Sequence, residues 1–245
     1  MTSNGPAPLA DVLVFGAHPD DAELFCGGTI AKLISKGRRV VVADLSDGEC
    51  GTRGSGAERL AEAAEAARIL GVERRRLDCG DTRIENTEAN RLKAIRVIRE
   101  LRPSVVLTHD ARDRHPDHPK AHALIRDAVF YSGVGGIDTG QPRHRPSGLF
   151  FFAGNLMGEA AAPRFVVDVT DFFPKKLDSI RAYRSQFFND EYQGPETEIA
   201  SRRFWLAIEA RARMAGALIG ADFGEAFISA LPLPVDDIVA VVKPR

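Results

Sequence analysis

Short apolar runs separated by helical patterns recur through the first half of the chain and narrow its possible folds. Val12 to Phe15 is wholly apolar and ends in Gly16-Ala17, as expected of a strand buried on both faces. Val40 to Leu45 is a second such run, Ser104 to Thr108 a third, and Arg76 to Cys79 a weaker strand between them. A helical pattern follows each. Leu24, Ile30, Leu33 and Ile34 precede a stop at Gly37; an Ala- and Glu-rich run reaches Leu70; Leu92, Ile95, Ile98 and Leu101 share a face within 88–101; and Pro119 can open a fourth helix. Parallel strands need such crossovers, so four strand-helix units predict a Rossmann-like α/β fold, a mostly parallel sheet with helices on both faces.

Local signals fix several boundaries. Ser55-Gly56-Ala57-Glu58 has the Ser-x-x-Glu form of a capping box, and Gly71 and Pro103 stop the second and third helices. Residues 132–148, rich in Gly and Pro, read as a long irregular connection of the kind that borders active sites or subunit contacts. Strands at Leu149 to Ala153 and Phe165 to Val169, then helices near Pro174 to Phe187 and Thr197 to Ile219, form a C-terminal β/α extension. One domain spans 1–245: a flexible start at 1–9, a core at 10–131 and the extension at 132–245.

A formal net charge of −1 provides no global field for nucleic acid or an anionic membrane. No apolar run approaches the ~18 to 20 residues a membrane helix needs. Met1 to Pro6 lacks the basic region of a signal peptide. Cys26, Cys50 and Cys79 are odd in number and far apart, which argues against a disulfide framework. These features predict a soluble, cytoplasmic protein without nucleic-acid or membrane partners.

Chemistry concentrates at two places. His18-Pro19-Asp20-Asp21 follows the first strand, and His115-Pro116-Asp117-His118 follows the fourth. In open parallel sheets, ligands bind beyond the carboxyl ends of the strands, so two clusters distant in sequence can meet at one rim. Each alone could be turn chemistry, with Asp capping the next helix. Together they supply two or three imidazoles and an acidic ligand with spare carboxylates, the needs of a metal site that activates water. A nucleotide pocket would want Gly-x-Gly-x-x-Gly where this chain has Gly16-Ala17-His18-Pro19-Asp20-Asp21, and two carboxylates there would repel phosphate. Imidazole and carboxylate without thiolate suit Zn²⁺ best, and also Fe²⁺, Co²⁺ or Mn²⁺.

Ala17 to Glu23, Asp44 to Glu49 and Asp113 to His118 resemble the LmbE-like (PIG-L) family of zinc-dependent N-deacetylases, from about residue 10 to about 130 and more loosely through Ala182 to Phe187. Within it, Asp113-Arg114-His115-Pro116-Asp117-His118 and the helix end at Ala67 to Val72 are most similar to deacetylases of bacillithiol synthesis, which act on N-acetylglucosaminyl malate. The resemblance implies His18, Asp21 and His118 as metal ligands and Asp20 as general base. It implies His115 as the group that steadies the oxyanion or protonates the leaving amine, with Asp117 fixing its tautomer. Arg59, and more weakly Arg114, would contact substrate. A solvated helix charge is the other reading of Arg59. Where relatives carry a substrate-contacting tyrosine, this chain has Phe204; Tyr192 either substitutes for it or is an ordinary loop aromatic. The implied partner is a small amino-sugar substrate, and the implied assembly a homo-oligomer, often a hexamer. Two alternatives stand beside the malate conjugate: deacetylation of an inositol or chito-oligosaccharide conjugate, and a non-catalytic sugar-binding module that keeps the metal.

Overall fold

A computed structural model of the chain describes residues 9–153, 162–229, 231–237 and 239. The expected flexible start at 1–9 lies outside them except for Leu9, whose N–H donates to the Leu101 carbonyl.

One seven-stranded sheet runs through the molecule in the order β3-β2-β1-β4-β5-β7-β6. Its strands are β1 (Val12–Gly16), β2 (Val40–Asp44), β3 (Glu73–Arg76), β4 (Val105–Thr108), β5 (Gly148–Phe152), β6 (Phe165–Asp168) and β7 (Gly224–Ser229). The pairings from β3 across to β5 are parallel, and β7 lies antiparallel between β5 and β6. The helices are α1 (Asp21–Ser35), α2 (Gly56–Leu70), α3 (Glu88–Leu101), α4 (Asp117–Ser132), α5 (Phe173–Arg181) and α6 (Arg202–Ala217).

Alternation along the strands creates a core on each face of the sheet. Leu13, Phe15, Val41 and Ala43 pack with Ile95 and Ile98 of α3 and Leu124 and Ile125 of α4. Val12, Val14, Val40 and Val42 pack on the other face with Ala22, Cys26 and Ile30 of α1. The mostly parallel, two-sided α/β architecture is therefore the one expected from the sequence.

Caps explain most boundaries. The Ser55–Glu58 capping box is formed in both directions, and Gly71 closes α2 in the left-handed conformation at φ 78°. Arg102 ends α3 at φ 54°, since Pro103 bars the right-handed helical region to the residue before it. Several boundaries differ from the expectation, among them the end of α5 at Arg181 rather than Phe187 and the start of α6 at Arg202, where Ser201 caps it, rather than at Thr197. β3 covers Glu73–Arg76 rather than Arg76 to Cys79, because its arginines hold charged partners: Arg74 binds both oxygens of Asp44 and one of Glu23. Helix α4 starts at Asp117, two residues before Pro119. And β7 was not anticipated; it brings the C-terminal segment into the sheet instead of leaving it packed outside.

That segment also shapes α1. At Cys26 the helix leaves helical geometry (φ −143°), which frees the N–H groups of Gly28 and Thr29. Both donate to the Glu225 carboxylate of β7, at 3.0 and 2.6 Å. Lys176 of α5 neutralises Glu225 at 2.5 Å. A Cβ on Gly28 would meet Val169 at 2.8 Å, so the close approach requires glycine there.

Candidate active site

The chain reverses between β1 and α1 through His18-Pro19-Asp20, with Asp20 at φ 110°, a costly conformation for a residue with a side chain. Asp20 stands at the N-cap position but makes no capping bond. Its Oδ2 instead lies 3.1 Å from Arg59 Nη2, and Arg59 donates further to the carbonyls of Pro19 (2.7 Å) and Gly48 (3.3 Å). Turn chemistry alone leaves this strained, uncapping carboxylate unexplained. Arg59 is only 4% exposed, so it is no solvated helix charge; it lines the pocket, and its donors fix the Asp20 turn.

β1 and β4 are neighbours whose crossovers run to opposite sides of the sheet, and the two histidine clusters converge at that switch point. Asp21 lies between them: Oδ1 is 3.3 Å from His118 Nε2, and Oδ2 is 3.6 Å from His18 Nδ1. The far nitrogen of each imidazole meets a carboxylate. His18 Nε2 lies 3.2 Å from Asp117 and 3.3 Å from Asp81, and His118 Nδ1 lies 3.1 Å from Asp113. Histidines that hold metals are oriented in this way, with one ring nitrogen toward the cation and the other toward a carboxylate.

The donor set fits a divalent cation. His18, His115 and His118 offer ring nitrogens within 4.8 Å of one another, as do Asp21, His109 and His118 with one ligand atom each. Burial would drive protons off His18 and His118, yet the surrounding carboxylates reverse this, raising His18 well above its usual value and His118 to about 9. A cation among these rings would satisfy the same carboxylates. Imidazole and carboxylate without thiolate match Zn²⁺, Fe²⁺, Co²⁺ and Mn²⁺ alike.

Around this centre the titrating groups differ in kind. Burial pushes Asp20 up to about 7, against the opposing pull of Arg59 and with help from Asp21. His115 is lowered by burial and by His118 and His18. Its Nδ1 accepts the Asp117 backbone N–H at 3.3 Å, which leaves Nε2 as the proton-bearing nitrogen of the neutral ring. The sequence reading expected the Asp117 side chain to orient His115, but its carboxylate instead accepts the Thr82 N–H and meets His18. The backbone of Asp117, rather than its side chain, sets the His115 tautomer.

A cavity of about 370 Å³ opens over the centre, within the range of small-molecule sites. His18, Asp20, Asp21, His115, His118 and both Arg59 and Arg114 line it. Phe204 lines it too, contributing no hydroxyl, whereas Tyr192 stacks on Arg53 at 4.6 Å and does not line the cavity. The C-terminal segment docks here through Ser185, whose N–H and hydroxyl both donate to Glu62, and Gln186, which donates to the Arg53 carbonyl. Gly54, at φ 75°, sits so close to Ser185 that a Cβ would meet its Oγ at 2.6 Å.

Four residues escaped the sequence reading. His109 lies one residue beyond β4, where the strand-end rule could have found it; its Nε2 is 3.1 Å from Asp21 and its ring stacks on His118 at 3.8 Å. Asp113 sits inside a recognised motif without an assigned role. Asp81 was hidden by the misplaced third strand. Arg211 interrupts an apolar helix face, and that interruption was its only signal.

Residues 13–129 match the family profile "PIG-L: GlcNAc-PI de-N-acetylase". The chain is similar to the diacetylchitobiose deacetylase of Thermococcus kodakarensis, 35% identical across 74% of this chain and 72% of that one. It is similar to the "Probable N-acetyl-alpha-D-glucosaminyl L-malate deacetylase 2" of Bacillus anthracis at 28% identity, across 80% and 94%. The conserved protein TT1542 from Thermus thermophilus superposes with a TM-score of 0.83 at 36% identity, covering 92% of this chain and 97% of that one.

Proposed function

This chain belongs to the PIG-L family of deacetylases acting on N-acetylglucosamine-type substrates, and from that premise we propose that it hydrolyses the N-acetyl group of N-acetylglucosaminyl malate with the aid of zinc. The observation that carries the reading is the division of labour between adjacent carboxylates. Asp21 faces both His18 and His118, whereas buried Asp20 faces Arg59 and is free of any capping duty.

His18, Asp21 and His118 would hold the cation. Bound there, it would polarise the amide carbonyl and acidify the attacking water. Asp20 accepts the proton of that water, a task suited to a carboxylate with a pKa near neutrality. His115, with its proton on Nε2, donates a hydrogen bond to the oxygen on which charge develops, and the proton that Asp20 has taken from the water passes to the departing nitrogen. Asp81, Asp117 and Asp113 keep the two metal-facing imidazoles in orientation. A module that only bound sugar would need neither a carboxylate with a pKa near neutrality nor a neutral imidazole beside the centre, and this favours the enzyme over the binding reading.

Malate as the aglycone is supported by the Bacillus anthracis relative, which matches over most of both chains, and by Arg114, whose exposed guanidinium lines the pocket rim. Among the described residues no helix is long and apolar enough to cross a membrane.

The test is release of primary amine from N-acetylglucosaminyl malate, diacetylchitobiose and N-acetylglucosaminyl inositol, by zinc-loaded and by chelated protein. Zinc-dependent release, fastest from the malate conjugate, is expected. Faster release from another conjugate would replace malate as the aglycone, and no release from any of the three by folded, metal-loaded protein would overturn the enzyme reading.

A further inference from the structure

Arg211 is a charged group in the pocket that the hydrolytic arrangement leaves unused. Helix α6 buries Phe204, Ile208, Ala212 and Ala215, and Arg211 falls on the same stripe, seven residues after Phe204. Its guanidinium borders the cavity, with Cζ 5.6 Å from the centre of the Phe25 ring. Phe25 in turn sets its ring against His109 and His118, at 5.5 and 5.9 Å. One aromatic ring thus separates Arg211 from the imidazoles of the centre.

The other buried cations of this region are engaged, while Arg114 at the rim is exposed to solvent. Arg59 holds Asp20 and two carbonyls, Arg74 holds Asp44 and Glu23, and Lys176 holds Glu225. Arg53 donates to the Pro195 carbonyl and lies on Tyr192. Arg211 has no hydrogen bond or ion pair with any described residue, and its Nε is buried without a partner. Burial lowers its pKa to about 10, which leaves it charged near neutral pH. A buried guanidinium donor left unmatched is costly, and the planar fork of such a group fits a carboxylate through two parallel hydrogen bonds.

We propose that Arg211 is a carboxylate-binding residue of the pocket. The inference rests on the deacetylase reading in one respect: hydrolysis itself makes a carboxylate. The amide C–N bond breaks, a C–O bond forms to the oxygen of water, the amine leaves with a proton, and acetate is the second product. A carboxylate on the aglycone is the other source. Acetate leaving the centre would pass from the imidazoles to a fixed cation one ring away; an aglycone carboxylate would be gripped there while the amide reacts.

The experiment uses zinc-loaded full-length protein with R211Q and R211K, and metal content and thermal unfolding are checked for each. Acetate binding is measured by titration, with acetamide as the neutral counterpart, and this arm requires no turnover. The KM for N-acetylglucosaminyl malate is measured against that for neutral diacetylchitobiose. If acetate is the occupant, R211Q weakens acetate binding about tenfold, the scale of one lost charged hydrogen-bond pair, and leaves acetamide unchanged. If the aglycone is the occupant, R211Q raises the KM for the malate conjugate about tenfold and spares diacetylchitobiose. R211K, which keeps the charge and loses the fork, falls between wild type and R211Q in whichever arm moves, and it carries the test alone if R211Q does not fold. Unchanged acetate binding together with an unchanged KM ratio would overturn the proposal. Acetate held through Arg211 by a protein that releases no amine would leave the proposal standing and defeat only the deacetylase reading.

Discussion

The parallel half of the sheet, β1 to β4, and its antiparallel edge, β5 to β7, contribute to one pocket in different ways. From the parallel half come His18, Asp20, Asp21, His115 and His118, each in a short segment directly after a strand. The antiparallel side sends Phe204 and Arg211 to the wall, and it also sends supports: Glu225 to the break in α1, and Ser185 and Gln186 to Glu62 and the Arg53 loop. A reactive centre needs a few groups within hydrogen-bond reach, which two strand ends at a switch point can supply. A wall and its supports need only complementary surface, and many sequences can provide that. Chemistry is therefore concentrated in contiguous motifs on one side, while shape and rigidity are distributed over single residues on the other.

The strongest break in this comparison is made within the parallel half. Asp20→Asn is expected to lower kcat by about 10² to 10⁴-fold, the range of a positioned general base, with zinc content unchanged by metal analysis. His18→Ala is expected to lose the zinc itself. Equal loss of metal in both variants would contradict separate duties for Asp20 and Asp21. On the opposite side, Glu225→Gln leaves Lys176 buried without its countercharge, and about 3 to 5 kcal/mol of unfolding free energy should be lost in a urea titration. Loss of less than about 1 kcal/mol would mean that the antiparallel edge is an appendage rather than a support of α1.

The same contrast governs what could be read from the sequence. The parallel core was legible because each apolar run is continuous and each helix carries its own stop, such as Gly71 after α2. The centre was legible because His18 to Asp21 and His115 to His118 are contiguous. β3 was misplaced because Arg74, Arg75 and Arg76 look unlike a strand until their partners Asp44, Glu23, Glu73, Glu100 and Asp47 are known. β7 was missed because Gly224 to Ser229 is short and its pairing depends on β5 and β6. Neither the Glu225 bond to α1 nor the contact of Asp117 with His18 leaves a local trace, since their partners are 197, 196 and 99 residues away.

The carboxylates behind the imidazoles allow a finer test of where the division falls. Asp117 accepts the Thr82 N–H and meets His18, so Asp117→Asn keeps the shape and an acceptor while removing the charge that steadies the imidazole. Zinc affinity in a chelator competition should fall about 10 to 100-fold, as is usual when such an outer partner is lost, with thermal unfolding of the metal-free protein little changed. Asp113→Asn should act the same way through His118, and more simply, because His18 also faces Asp81 and keeps one carboxylate when Asp117 is lost. Asp113→Asn is accordingly the variant expected to cost more zinc affinity of the two. The smallest effect is reserved for the docking contact: Ser185→Ala removes the hydroxyl bond to Glu62 and the acceptor of the Gln186 amide while its backbone bond remains, and about 1 to 2 kcal/mol of stability should be lost with zinc affinity unchanged. A change in zinc affinity in Ser185→Ala would show that the supporting side of the molecule reaches the centre itself, and the line between the two regions would then have to be drawn inside the C-terminal segment.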